Sequence, residues 1–227
     1  MAMEYFERGR AEYLKKRLDF AAVEFLESLR YDPFYGDSHF WLGMTYLAGR
    51  EFVSALCSLE KASECLEKKV PAVTCGAEKP SYDADLCEYT AAVVFFFLGD
   101  DLSAAARFKR IQRPESAAKR FFEIRVTQLE PAGRYPVFDP ETIWQGVVEE
   151  KKYLEGKNRE DRQMRNGKYF GIHRLFENGK KYYQGYFYED HDLDAVFCVG
   201  FEFIYDNSRI KQIRLRPTAR MFRTIEL

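Results

Sequence analysis

The opening of the chain repeats itself at a spacing of 34 residues. Gly9 returns as Gly43, Leu18 as Phe52, Ala21 as Ala55 and Phe25 as Leu59. A fixed period of this length marks a supersecondary unit used in tandem, one that cannot bury its own apolar face and has to stack on its neighbours. Pro33 follows the first copy, Asp37 and Ser38 offer N-cap side chains to the second, and Gly49-Arg50 supplies a turn inside it. The stretch 69–84 is then broken by Pro71, Gly76 and Pro80. A weaker third copy follows at a spacing of 50, which is the period plus a 16-residue insertion, with Tyr46 returning as Phe96, Phe52 as Leu102 and Ala55 as Ala105. Its turn is Leu98-Gly99-Asp100-Asp101, and Ala92-Val93 stands where the second copy has Leu42-Gly43.

The run Leu42-Gly43, then Tyr46, then Ala55 resembles the tetratricopeptide repeat, with Pro33 matching the proline that often ends that repeat. The resemblance covers residues 2–110 and implies antiparallel helix pairs, over 3–16 and 19–30 in the first copy. It places the small residues Ala21 and Ala55 where the second helix of each pair crosses the first. It also implies a curved stack whose hollow side, lined by the first helices, holds other proteins. Carried onto this chain, the lining positions are Phe6, Arg10 and Tyr13, then Phe40, Met44 and Leu47, then Thr90, Val94 and Phe97. One subclass of the family grips carboxylate tails with Lys, Asn and Arg. Here those places hold Phe6, Arg10, Trp41, Cys87 and Ala91, so an apolar groove is expected instead of a carboxylate clamp. Such a groove suits an amphipathic helix or an extended apolar segment of another protein.

A further helix is expected over 115–129, with Ala118, Phe121, Phe122, Val126 and Leu129 at helical spacing. It would cap the stack, with Lys119, Arg120, Glu123 and Arg125 facing water. Pro131, Gly133 and Pro136 read as a linker. Asp139-Pro140-Glu141 reads as a helix start, opening a helix with Ile143, Trp144, Val147 and Val148 that becomes highly charged over 149–165. This helix is also able to fold back and fill the groove. Beyond it, Asn166-Gly167, Asn178-Gly179 and Asp206-Asn207 are hairpin turn signals. They separate strands expected over 168–176, 180–188, 195–205 and 209–216. The glycine-aromatic pieces F-E-N-G-K and Y-Y-Q-G-Y are loosely similar to MORN hairpin repeats. The expected class is therefore α+β: a helical repeat domain of about three helix pairs with a capping helix, residues 2–130, then an antiparallel β-meander leaning on one helix, residues 137–220.

The chemistry-bearing residues are sparse. Basic and acidic residues nearly cancel, 35 against 36, which argues against a nucleic-acid footprint over the whole surface. Arg209, Lys211, Arg214, Arg216, Arg220 and Arg223 are divided between the two faces of a strand and read as charges guarding an edge. Cys57, Cys65, Cys75, Cys87 and Cys198 form no C-x2-C pair, so buried reduced thiols are expected and neither disulfides nor a zinc site. The first ten residues lack an apolar core and the longest apolar run is 91–98, so neither a secretory signal nor a membrane span is expected. Catalytic signatures such as G-x-S-x-G, the phosphate-binding glycine loops and H-E-x-x-H do not occur. The EDHDLD turn at Glu189, Asp190, His191, Asp192 and Asp194 lacks the glycine and terminal Glu of a calcium loop and reads as solvated. No cofactor or metal is expected.

These features lead to an expected non-enzymatic, cytoplasmic adaptor or assembly factor that binds a protein segment, with no nucleic acid and no membrane insertion. Self-association stays open. The rival readings are a structural subunit of a larger assembly, or a ligand-binding or catalytic β domain whose pocket would be lined by His173, Tyr182 and Tyr186.

Overall fold

A computed structural model describes residues 1–67, 81–130, 139–190, 195–218 and 221–227. Among these residues, seven α-helices precede eight strands of one antiparallel sheet, an α+β arrangement. Contacts divide the chain into two compact units: 1–117 with 130–138, and 118–129 with 139–227. The division falls inside the seventh helix, so most of the expected capping helix belongs with the sheet.

The first unit is three helix hairpins: α1 (Ala2–Leu14) with α2 (Leu18–Tyr31), α3 (Gly36–Ala48) with α4 (Phe52–Glu67), and α5 (Ala84–Leu98) with α6 (Asp101–Phe108). Each helix packs on its chain neighbours, and the first helices of successive hairpins also touch. The repeated sequence positions repeat one contact. A Cβ added to Gly9 would meet the Phe25 ring at 2.6 Å, and one added to Gly43 would meet the Leu59 side chain at 2.9 Å. Ala21 and Ala55 are fully buried. Small residues at these four places let the two helices of a hairpin approach closely, as the spacing predicts.

The turns between paired helices also repeat. Lys16 (φ +62°) and Arg50 (φ +63°) occupy the left-handed region 34 residues apart, and Gly99 (φ +83°) does so 49 residues further on. The third copy is therefore shifted by 49 and not by 50. At that shift Gly43 corresponds to Ala92, Ala55 to Ala104 and Leu59 to Phe108, all buried, while Leu102 is 86% exposed. The small residue absent at the spacing of 50 is thus present one position earlier. The second hairpin departs from expectation at its start. Tyr35 is the N-cap residue of α3 and makes no side-chain capping bond. Asp37 and Ser38 lie inside the helix, where Asp37 accepts hydrogen bonds from the Ser81 backbone and hydroxyl, and Ser38 shares a hydroxyl bond with Ser28. Most of the expected loop 69–84, with Cys75, and the linker with Pro131, Gly133 and Pro136 lie outside the described residues.

The second unit begins in α7 (Pro114–Leu129) and continues through a 3-10 turn, Thr142–Trp144. The strands are β1 (Val147–Tyr153), β2 (Arg159–Arg165), β3 (Lys168–Glu177), β4 (Lys180–Asp190), β5 (Ala195–Cys198), β6 (Phe201–Asp206), β7 (Arg209–Thr218) and β8 (Met221–Glu226). The order is β1-β2-β3-β4-β6-β7-β8, with β5 on the far half of β4. The expected helix from Asp139 is only that single turn, and the charged run 149–165 is a β-hairpin. Gly146 and Gly156, both at φ +73°, break the helical path. The charges pair across the strands instead of along a helix: Arg162 bonds Glu150 at 2.9 Å, and Lys151 and Lys152 stand opposite Asp161 and Glu160. The four expected strands are present, but 195–205 is split into β5 and β6 around Gly200 (φ +105°).

Three hairpins turn on two residues of positive φ, the mirror-image turn that matches strand twist. Asn166-Gly167 and Asn178-Gly179 are as expected, whereas the third uses Asn207-Ser208 in place of Asp206-Asn207. The sheet leans on α7, not on a helix from Asp139. The Phe122 ring lies 5.5 Å from Phe170 and 5.4 Å from Tyr186. Phe201, Phe203, Ile213, Leu215 and Ile225 add buried apolar surface from β6, β7 and β8.

Candidate functional site

The residues expected to line a groove divide sharply by exposure. Phe6, Tyr13, Phe40, Met44, Leu47 and Val94 are all buried, as is Thr90. For three of them the packing partners define the reason. Phe6 meets Tyr35 edge-on at 5.2 Å, and 34 residues later Phe40 stacks on Tyr82 at 5.0 Å. In both places an aromatic residue just ahead of the next hairpin seals the preceding one. Tyr13 packs edge-on against Trp41 at 5.3 Å, and Trp41 donates its indole N–H to Ser81. Arg10 is half-buried, its guanidinium 5.7 Å from the Phe6 ring and 5.3 Å from the Trp41 ring. Of the expected set, Phe97 alone is exposed, at 43%. Burial also governs Tyr82, whose hydroxyl donates to the Ala62 carbonyl and whose ionisation is pushed well above the ordinary tyrosine range.

Phe97 belongs to an exposed apolar edge. Its ring stacks on Phe52 at 5.5 Å, 6° from parallel. Val53 and Leu98 adjoin this pair in the chain and Leu102 opens the next helix; the three are exposed by 68%, 44% and 86%. Val53 and Leu102 are 49 residues apart, so they hold the same place in the second and third hairpins, at the start of the second helix. The signal was present in the sequence as apolar residues next to each inter-helix turn. A separate exposed stripe on α2 carries Phe20, Val23 and Leu26.

The second unit contains a pocket of about 390 Å3 lined by Lys119, Trp144, Val147, Gln163, Ile172, Arg174 and Tyr186. The 3-10 turn places Trp144 against Phe122 and Phe170, and its indole N–H donates to Glu123 at 2.8 Å. Glu123 is thus buried, contrary to its expected place on a polar outer face. Gly171 has φ +100°, and a Cβ there would meet Gln163 Oε1 at 2.5 Å and the Trp144 ring at 2.7 Å. The Gln163 oxygen accepts the Ile172 backbone N–H. Behind the pocket wall the Arg165 guanidinium lies 3.6 Å from the Phe170 ring centre and donates to the Ile143 carbonyl. Burial lowers its pKa to about 10.

Of the three residues expected around a β-domain pocket, only Tyr186 lines it. Tyr182 is exposed. His173 is on the opposite face of the sheet, ringed by Tyr169, Tyr183 and Phe187, with Nε2 3.0 Å from Glu160. Burial holds its pKa below the ordinary value despite Glu160. His191, Asp192 and Asp194 of the acidic turn, and Arg220, lie outside the described residues. Cys87 and Cys198 are buried thiols, but Cys57 is exposed and Cys65, which faces Gly36, is half-buried.

No protein-family model matches the chain, MORN repeats included, and no match to a curated protein was found. Among solved structures, the chain is similar to the N-terminal domain of stress-induced protein-1 from C. elegans. The two are 18% identical with a TM-score of 0.43, over 56% of this chain and 94% of that one. Among the described residues, no helix is long and apolar enough to cross a membrane.

Proposed function

We propose that the chain is a non-enzymatic protein-interaction adaptor, and that its helical hairpins hold an apolar segment of a partner along the edge formed by Val53, Phe97, Leu98 and Leu102. The observation that carries this reading is the exposure of these four side chains, with Phe97 held in a stack on Phe52. Equivalent positions in successive hairpins lie in a row, so a partner helix or strand can follow the edge from one hairpin to the next. Covering Val53 and Leu102 removes apolar surface from water, a gain of roughly 1.5–3 kcal/mol for each side chain fully buried. The residues first expected to bind, Phe6, Tyr13, Phe40, Met44, Leu47 and Val94, act as packing within the chain, and Arg10 covers aromatic rings. The test is a paired substitution, Val53→Asp with Leu102→Asp, compared with the native chain for partner capture from the native source. Both sites are exposed, so the variant should fold. Undiminished capture by a folded variant removes this edge as the binding surface.

A further inference from the structure

We infer that the pocket between α7 and the sheet is a binding site for a small, flat organic carboxylate. Its volume, about 390 Å3, lies within the range of small-molecule sites. The walls combine an apolar surface from Trp144, Ile172 and Tyr186 with two cations, Lys119 and Arg174, and among the described residues none that lines it is acidic.

Arg174 is the key group. Its neighbour across the strand pair is Asp161, whose Oδ1 lies 2.8 Å from Arg159 Nε; among the described residues no ion pair joins Asp161 to Arg174. Among the described residues Arg174 keeps only a neutral acceptor, Gln184 Oε1, at 3.1 Å from its Nε. The remaining N–H groups of the guanidinium form a planar fork suited to a carboxylate. Gln163 adds a second donor. Its oxygen is occupied by the Ile172 N–H, while its amide NH2 has no acceptor among the described residues. Lys119 is half-exposed at the rim, with Glu123 at 3.7 Å. That buried carboxylate favours a singly charged ligand over a phosphate dianion, because like charges at short range disfavour each other. The flat wall is also rigid. Trp144 is held through its N–H by Glu123 and from below by Gly171, and Lys119 Nζ lies 5.5 Å from its ring centre, so a planar ligand body stacks there once that half-exposed side chain swings aside to meet the carboxylate.

The chain has two tryptophans, which provide an internal control. The experiment titrates the full chain with 2-naphthoate and, separately, with uncharged 2-naphthylmethanol. The indole N–H signals are followed by NMR and the affinities by calorimetry. 2-Naphthoate should shift the Trp144 signal, leave that of Trp41 in place, and bind at least about ten-fold more tightly than the alcohol, the usual order for hydrogen bonds to a charged group. Arg174→Gln should abolish that preference. An unmoved Trp144 signal, equal affinities for acid and alcohol, or a preference that survives in Arg174→Gln would each overturn the assignment. The acid–alcohol comparison on the native chain decides the matter even where the variant does not fold.

Discussion

Gly9 lies so close to the ring of Phe25 that a Cβ built on it would come within 2.6 Å of a ring carbon. Alanine is the better helix former by about 1 kcal/mol, but overpacking typically costs about 1–3 kcal/mol. The ring is stiff and three of its atoms crowd the position, so the steric cost should win. Gly9→Ala is predicted to destabilise the chain by about 1–2 kcal/mol in urea melts. Adding Phe25→Leu, which copies the Gly43–Leu59 pairing of the second hairpin, should recover part of that loss. A Gly9→Ala variant as stable as the native chain would show that the hairpin has slack there.

Gly171 is required twice over, by its φ of +100° and by the space its missing side chain leaves for Trp144 and Gln163. Gly171→Ala combines backbone strain with a clash against two packed side chains. Its expected cost is about 2 kcal/mol or more, with a displaced Trp144 indole signal. An unshifted Trp144 resonance would contradict the packing described for that wall.

His39 and His173 should make the chain less stable in mild acid. Both have pKa values lowered by burial from the ordinary 6.5. Above that value both are neutral whether the chain is folded or not, and the stability is intact. As pH falls through it, the unfolded chain takes up protons that the folded chain resists, and stability drains away. Urea melts at about pH 7.5 and about pH 5.5 measure this fall, and His173→Gln should flatten it. The same slope in native chain and variant would remove His173 from the account.

The repeat was legible because identical contacts recur: Gly9–Phe25 and Gly43–Leu59 need the same spacing, and the sequence keeps it. The third hairpin was visible but misplaced by one residue, since its small position is Ala92 and alanine is too common to mark a register. The charged stretch 149–165 misled for a physical reason. Runs of Glu, Lys and Arg favour helices locally, and only the cross-strand pairing of Glu150 with Arg162, together with Gly146 and Gly156, makes a hairpin of them. Apart from Phe97, the apolar residues expected to line the groove are buried, because exposure is a tertiary property. Phe6 and Phe40 have the right period for a groove, but Tyr35 and Tyr82, outside the repeated pattern, cover them. Trp144 is expected on a helix from Asp139 that could fill the groove, while its pocket depends on β2, β3, β4 and α7 meeting, which no local signal records.

The most direct measurement is site-specific photo-crosslinking in the native source, with a photoreactive residue at Leu102, at Val53, and at the exposed Lys109 as control. A partner held along the proposed edge should be crosslinked from Val53 and from Leu102 as the same species, and not from Lys109. No product at either site, equal products at all three, or only a covalent dimer of the chain itself would contradict the adaptor reading.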